Sequence, residues 1–344
     1  MTPELEPISI GPGYEAKIQT LEIPELGRVE LLHSKGTATY LEDVLSIRRV
    51  NGATWILLLD GMSNVHYPAT DNSKASPLIH IAGKSSGAAF VERINNWFLK
   101  LKDTVLTDEI SPLQFAKAAN IVGGNFLKSY GLEKEPESAR PGAAGLVLKL
   151  SESGCEVCHW QDPLLLAWGL KERDKVALPN HHYQEELKRT EYFKEALALA
   201  DEDINAGALN PEHRLQRAWA YYGPHLAKMR DKYQNNPEIP HSAVLNGSWT
   251  FPALTQTTSF SREEVQTWRG IVVGTDGGVF LDETEDPDQT AGSVFERIMS
   301  AGTPSLEAAL KAKSDLEAVR KGSSHIAQPE WTAAMILLNQ RTIE

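Results

Sequence analysis

The chain has 344 residues, 41% of them hydrophobic and 23% charged, which is ordinary globular usage and excludes disordered, collagen-like and coiled-coil classes. A formal net charge of -12, from 46 acidic against 34 basic residues, excludes the basic footprint that nucleic acid requires. The length suits one large domain or two ordinary ones.

The opening stretch, MTPELEPISIGPGYEAK, has neither a charged-then-apolar leader pattern nor an amphipathic Arg-rich one. No apolar run approaches the roughly 18 residues of a membrane helix. A cytoplasmic protein without a membrane segment is expected. Residues 27–60 read as three strands, GRVELLHS, DVLSIRRV and TWILLLD, the last two joined at NGA, and together as an antiparallel meander. After a turn-rich stretch at 63–76, SSGAAFVERINNWFLKLKD carries apolar residues at helical spacing. SPLQFAKAANIVGGNFLKSYG follows as a second helix with a Ser-Pro start and a Gly stop.

The next segment, GLVLKLSESGCEVCHWQDPLLLAWG, reads as two strands joined by a turn at Ser153-Gly154. It carries the only two cysteines, Cys155 and Cys158, whose CEVCH spacing matches a haem-attachment pattern and half of a zinc site. Side chains three apart on a strand face opposite ways, so these two cannot clasp one ion, and each is expected to pack as a small hydrophobe. Residues 183–235 are charged and helical and read as an insertion. Strand character returns at RGIVVGTDGGVFLDE, a helix follows at SLEAALKAKSDLEAVRKG, and WTAAMILLNQ closes as a strand. Helices are thus segregated from strands rather than alternating with them, an α+β order.

Acids stand at the ends of three apolar strands: Glu42 and Asp43 before one, Asp60 after another, Asp276 after a third. Carboxylates brought together at one sheet rim raise one another's pKa unless a cation joins them, and hard divalent ions take oxygen ligands. The glycine after each aspartate, Gly61 and Gly277, frees the backbone for a sharp turn. Taken singly, an Asp-Gly pair is most often just such a turn.

The ordered set YLEDVLSI, ILLLDGMSN, SSGAAF, GAAGLVLKL, CEVCHWQDPLLLAW, IVVGTDGGVF and WTAAMILL resembles the metal-dependent protein serine/threonine phosphatases of the 2C type, over roughly residues 27–339. The resemblance implies a single domain over 1–344 with a helical insertion at 183–235. Its fold would be a four-layer αββα sandwich of two antiparallel sheets flanked by helices. It implies two manganese or magnesium ions, and water that attacks a phosphoserine or phosphothreonine of a protein substrate. Carried over, Asp60 bridges both ions and Gly61 offers its carbonyl; Glu42 or Asp43 holds an ion directly or through water. Asp276 ligates the second ion, Asp162 serves an accessory one, and Asp60 and Asp276 are the catalytic pair.

Several positions depart from that pattern. The last metal aspartate falls on Pro329 or Glu330, so one ligand, and with it one ion, is missing or replaced. The phosphate-binding arginine falls where only Lys35 stands, a point charge in place of a bidentate fork. Gln161-Asp162-Pro163-Leu164 replaces Gly-Asp-Ser-Arg, and Met62 follows the Asp-Gly pair where some members have histidine; His66 is a stand-in or simply a solvated loop residue. The alternative is a pseudophosphatase that binds a protein partner, and a third reading takes every Asp-Gly as a turn. Other motifs fail: GKSS at 83–86 would need glycine where Leu78 stands, no histidine spacing forms a zinc signature, and no Gly-x-Ser-x-Gly elbow occurs.

Overall fold

A computed structural model of the chain describes residues 7–10, 17–23, 27–34, 41–69, 74–161, 163–169, 176–177, 183–239, 242–275, 305–311 and 331–338. In chain order the strands before the first helix are β1 (Ile8–Ile10), β2 (Lys17–Ile23), β3 (Gly27–Ser34), β4 (Val44–Val50), β5 (Ala53–Met62), β6 (His80–Ile81) and β7 (Lys84–Ser85). Helices α1 (Ser86–Lys100) and α2 (Pro112–Ser129) follow, then β8 (Gly142–Ser151), β9 (Gly154–Trp160), β10 (Leu164–Gly169) and β11 (Val176–Ala177). Next come α3 (Tyr183–Asn205), α4 (Arg214–Tyr233), α5 (Phe251–Leu254), β12 (Gln256–Ser261), α6 (Arg262–Gln266), β13 (Trp268–Gly274) and β14 (Trp331–Leu338).

Twelve of these strands form two six-stranded antiparallel sheets, in the orders β1-β4-β5-β8-β9-β12 and β11-β10-β13-β14-β3-β2. Alternation along each strand sorts its apolar side chains to two faces. Leu45, Ile47, Ile56, Leu58, Leu146 and Leu148 of the first sheet meet Val29, Leu31, Leu165, Ile271, Val273 and Ile336 of the second in one buried layer. The opposite face of the first sheet, with Trp55, Leu57, Leu59 and Val147, packs on Phe90, Ile94 and Phe98 of α1 and on Phe115, Ala116 and Ala119 of α2. The outer face of the second sheet, with Leu32, Leu166, Val272 and Met335, is covered by Leu306 and Ala309 of a helical turn at 306–311. Three apolar layers therefore lie between four structural ones, the expected αββα order.

Local chemistry accounts for several elements. The β4–β5 hairpin turns on Asn51 and Gly52, with φ of 52° and 81°, the left-handed pair that a two-residue turn requires. Ser111 caps α2 through a capping box with Gln114, and Pro112 opens it. Ser85 caps α1.

Three readings are corrected. β3 is no part of a meander with β4 and β5: it pairs with β14 and β2 in the other sheet. Strands adjacent in sequence pair only about two times in three, and β3, buried on both faces, bears no mark of its partner. The cysteine segment forms three strands, not two. Its hairpin turns at Glu152-Ser153, with Ser151 paired to Gly154, and after Gln161 (φ 64°) the chain crosses to the second sheet as β10. Finally, β5 does not stop at Asp60; Asp60, Gly61 and Met62 still pair with Ala144, Ala143 and Gly142. The cysteines face opposite sides as expected, Cys155 into the inter-sheet layer and Cys158 toward the helices. The segment 183–235 contains α3 and α4, which pack together through Ala196, Ala200, Ala218 and Tyr222.

Candidate metal centre

Antiparallel register brings the first acids together. Val44 pairs with Leu59, so the next step of the ladder sets Asp43 level with Asp60 and Glu42 level with Gly61; the Gly61 N–H donates to the Glu42 carbonyl at 3.1 Å. Residues level across two strands share a face. Since Leu45 and Leu58 point between the sheets, Asp43 and Asp60 lie on that inter-sheet side, at the rim, while Glu42 lies on the helix side. Asp43 is buried and Asp60 half-buried.

Thr275, just past β13, reaches this rim from the second sheet. Its hydroxyl donates to Asp43 Oδ2 at 2.7 Å and accepts from the Thr332 backbone N–H at 3.0 Å, while its own N–H donates to the Thr332 carbonyl at 2.9 Å. The Thr332 hydroxyl in turn meets His33 Nδ1 at 2.6 Å. Burial lowers the His33 pKa, which favours the neutral ring.

On the helix side the Glu42 carboxylate is a structural tie. It accepts from the Ser63 N–H at 3.1 Å, from the Ser63 hydroxyl at 2.5 Å and from the Ser85 hydroxyl at the start of α1. A side chain on Gly61 would come within 2.5 Å of the Glu42 carbonyl, and one on Gly87 within 2.5 Å of Glu42 Oε2. Both positions therefore require glycine for close approach, which the turn reading of Asp60-Gly61 does not explain.

The helical pair docks beside this rim. Tyr67 lies so close to α4 that a Cβ on Gly223 would come within 2.4 Å of it. Ser138 N–H donates to Asp231 at 2.7 Å, and the buried Asn235 (φ 52°) bonds Asn246, the Val244 N–H and the Ser242 carbonyl. Asn246 also donates to Glu137, whose pKa burial raises. These contacts place Arg230 of α4 against the loop after β5, where its Nη1 donates to the Ser63 carbonyl at 2.6 Å. The Gln234 amide lies 4.0 Å from the Met62 sulfur.

Of the sequence-derived candidates, Glu42, Asp43, Asp60 and Gly61 thus gather at one place. Lys35, Asp162, Asp276 and Glu330 lie outside the described residues. His66 is exposed in its loop. Among the described residues no group of three or more His, Cys, Asp or Glu is close enough to hold an ion unaided. What is present among the described residues, the carboxylates of Asp43 and Asp60 at the rim, is a hard oxygen set that fits magnesium or manganese, with the rest of a shell left to water or to other chain oxygens. Sequence reading missed Thr275 and Arg230. Thr275 sits beside a singled-out aspartate without a signal of its own; for Arg230 the one hint is Gly223 inside a helix, a mark of close packing.

No family model matches the chain, and no curated protein does. Among solved structures it is similar to a serine/threonine phosphatase of S. agalactiae, at 14% identity over 90% of this chain and 98% of that one, with a TM-score of 0.47. Stp1 of Staphylococcus aureus aligns at 10% identity, 94% and 99% coverage and a TM-score of 0.46. Serine-threonine phosphatase 2C of Toxoplasma gondii does so at 11%, 96%, 99% and 0.45. Among the described residues no helix is long and apolar enough to cross a membrane.

Proposed function

We propose that the chain is a metal-dependent phosphomonoester hydrolase acting on phosphoserine or phosphothreonine in proteins, in the cytoplasm, with Asp43 and Asp60 supplying carboxylate oxygen to a magnesium or manganese centre. The observation that supports this best is the register that sets Asp43 level with Asp60 at the inter-sheet rim. Two like charges facing each other across a strand pair are unfavourable without a cation between or beside them.

A bound ion of this kind would supply Lewis acidity and lower the pKa of a water bound to it. The chain's own contribution is positional. Thr275 holds Asp43 by its hydroxyl, and the Glu42–Ser63–Ser85 tie keeps the loop after Asp60 against the start of α1. In this reading Asp276, Asp162 and Glu330 are the further candidate ligands, Gly61 contributes its carbonyl and Lys35 a point charge toward phosphate.

A second reading, a catalytically impaired binding module, is favoured by one feature: the Glu42 carboxylate already accepts bonds from Ser63 and Ser85. Manganese-dependent hydrolysis of a phosphopeptide, compared between wild type and Asp60→Asn, separates the two. Turnover lost in the variant supports the hydrolase. Metal binding by wild type without turnover on any phosphosubstrate supports the module, and equal rates in both proteins end the catalytic role of Asp60.

A further inference from the structure

The helical pair brings two guanidinium groups to the edge of this rim. Arg230 of α4 and Arg189 of α3 line one narrow cleft together with Gln161, Gln234 and Ser242. One of its lining groups, Arg230, is anchored on the carbonyl of Ser63, three residues past Asp60, so the cleft and the loop that follows β5 share this side chain.

Charge, donor count and placement agree there. The pKa of Arg230 is lowered to about 10, by burial first and the Arg189 charge second, with Glu42, Tyr222 and Asp60 opposing the shift, so the group still carries its proton at neutral pH. Two cations crowded into one cleft repel, and an anion between them relieves that repulsion. A guanidinium has five N–H donors in a planar fork, and among the described residues the recorded bond of Arg230 uses one, to Ser63. The fork is the shape that grips two oxygens of a phosphoryl group. Ser63 is itself rigid: it donates to Glu42 and accepts from the Gly87 N–H at 3.0 Å. A phosphoryl group approaching a rim of carboxylates meets repulsion unless a cation stands beside it.

We infer that Arg230, with Arg189 beside it, is a phosphoryl-binding fork of this site, so that the helical pair supplies a bidentate cation that holds a phosphomonoester at the rim. The substrate named here rests on the hydrolase reading; the anion site does not.

Titration calorimetry of the full chain with inorganic phosphate, with and without magnesium, tests it on wild type, Arg230→Met, Arg230→Lys, Arg189→Met and, as a charge control, the exposed Lys228→Met. Arg230→Met is expected to weaken phosphate about 10–100-fold, the worth of a charge-assisted hydrogen bond or two. Lysine should recover part of that loss, Arg189→Met should weaken binding severalfold, and Lys228→Met should leave it unchanged. On p-nitrophenyl phosphate the KM of Arg230→Met should rise by the same factor. Should Arg230→Met fail to fold, Arg189→Met and Arg230→Lys carry the test through the same affinities. Wild-type phosphate affinity in folded Arg230→Met and Arg189→Met overturns the inference and leaves Arg230 as an internal counter-ion of Glu42 and Asp60. Phosphate binding lost in the arginine variants of a protein that hydrolyses nothing sustains the fork and removes the hydrolase reading. Hydrolysis with an unchanged KM does the reverse.

Discussion

Thr275 donates its hydroxyl to Asp43 at 2.7 Å across 232 positions of sequence, and so ties the rim of one sheet to the rim of the other. The bond is buried, and Thr332 extends it to His33. Replacing Thr275 with valine keeps the shape and removes the donor from a buried carboxylate. Urea unfolding is expected to show a loss of about 1.5–3 kcal/mol, the range for a hydrogen bond to a charged group. A loss below about 0.5 kcal/mol, the size of an ordinary surface substitution, would mean that Asp43 takes its stabilisation elsewhere.

Gly61 and Gly87 both back onto Glu42. Alanine at 61 sets a Cβ 2.5 Å from a backbone carbonyl, and alanine at 87 sets one 2.7 Å from the Ser63 nitrogen. Neither neighbour is a flexible side-chain end, so the strand start or the helix start must shift. Each variant is expected to lose about 1–3 kcal/mol, as overpacked sites do, measured by thermal or urea melting. A melting temperature equal to wild type in either would show that the rim yields at no cost.

Cys155 and Cys158 are 1% and 0% exposed and point into different layers. Burial pushes the Cys158 thiol up to about 12 and raises Cys155 further. Thiolate is the reactive form. Ellman's reagent at pH 8 should therefore label neither cysteine in the native protein and both in urea, and zinc should gain no thiolate site. Native labelling at the rate of a free thiol would place the pair outside the core.

His33 governs part of the acid side of the stability curve. Its folded pKa lies below the ordinary value because burial penalises the charged ring. The unfolded chain then binds more protons than the folded one as pH falls below about 6.5, so stability contributed above that pH is lost on acidification toward the lowered folded value. His33→Asn should fall less steeply than wild type between pH 7 and pH 5 in urea melts. Parallel curves would assign the acid loss to other groups.

Much of the local structure was legible in residues. Ser85 and Ser111 mark the starts of α1 and α2, Asn51-Gly52 marks a hairpin turn, and a three-residue spacing on a strand separates Cys155 from Cys158. Each depends on side chains within a turn or two of one another, which is the range that periodicity and capping report. The pairing of Asp43 with Asp60 was within reach for the same reason, since one short hairpin sets both registers.

What the sequence by itself determined was the segregated order of strands and helices, the apolar runs that make the central strands, and the choice of acids at strand starts and ends. Only the tertiary structure decided that β3 leaves β4 for β14, that β10 crosses to the second sheet, that Thr275 meets Asp43, and that α4 swings Arg230 onto the loop after Asp60. Those choices turn on contacts between segments tens to hundreds of residues apart, where backbone pairing and close packing, felt at Gly61, Gly87 and Gly223, select one arrangement among several that the local pattern permits equally.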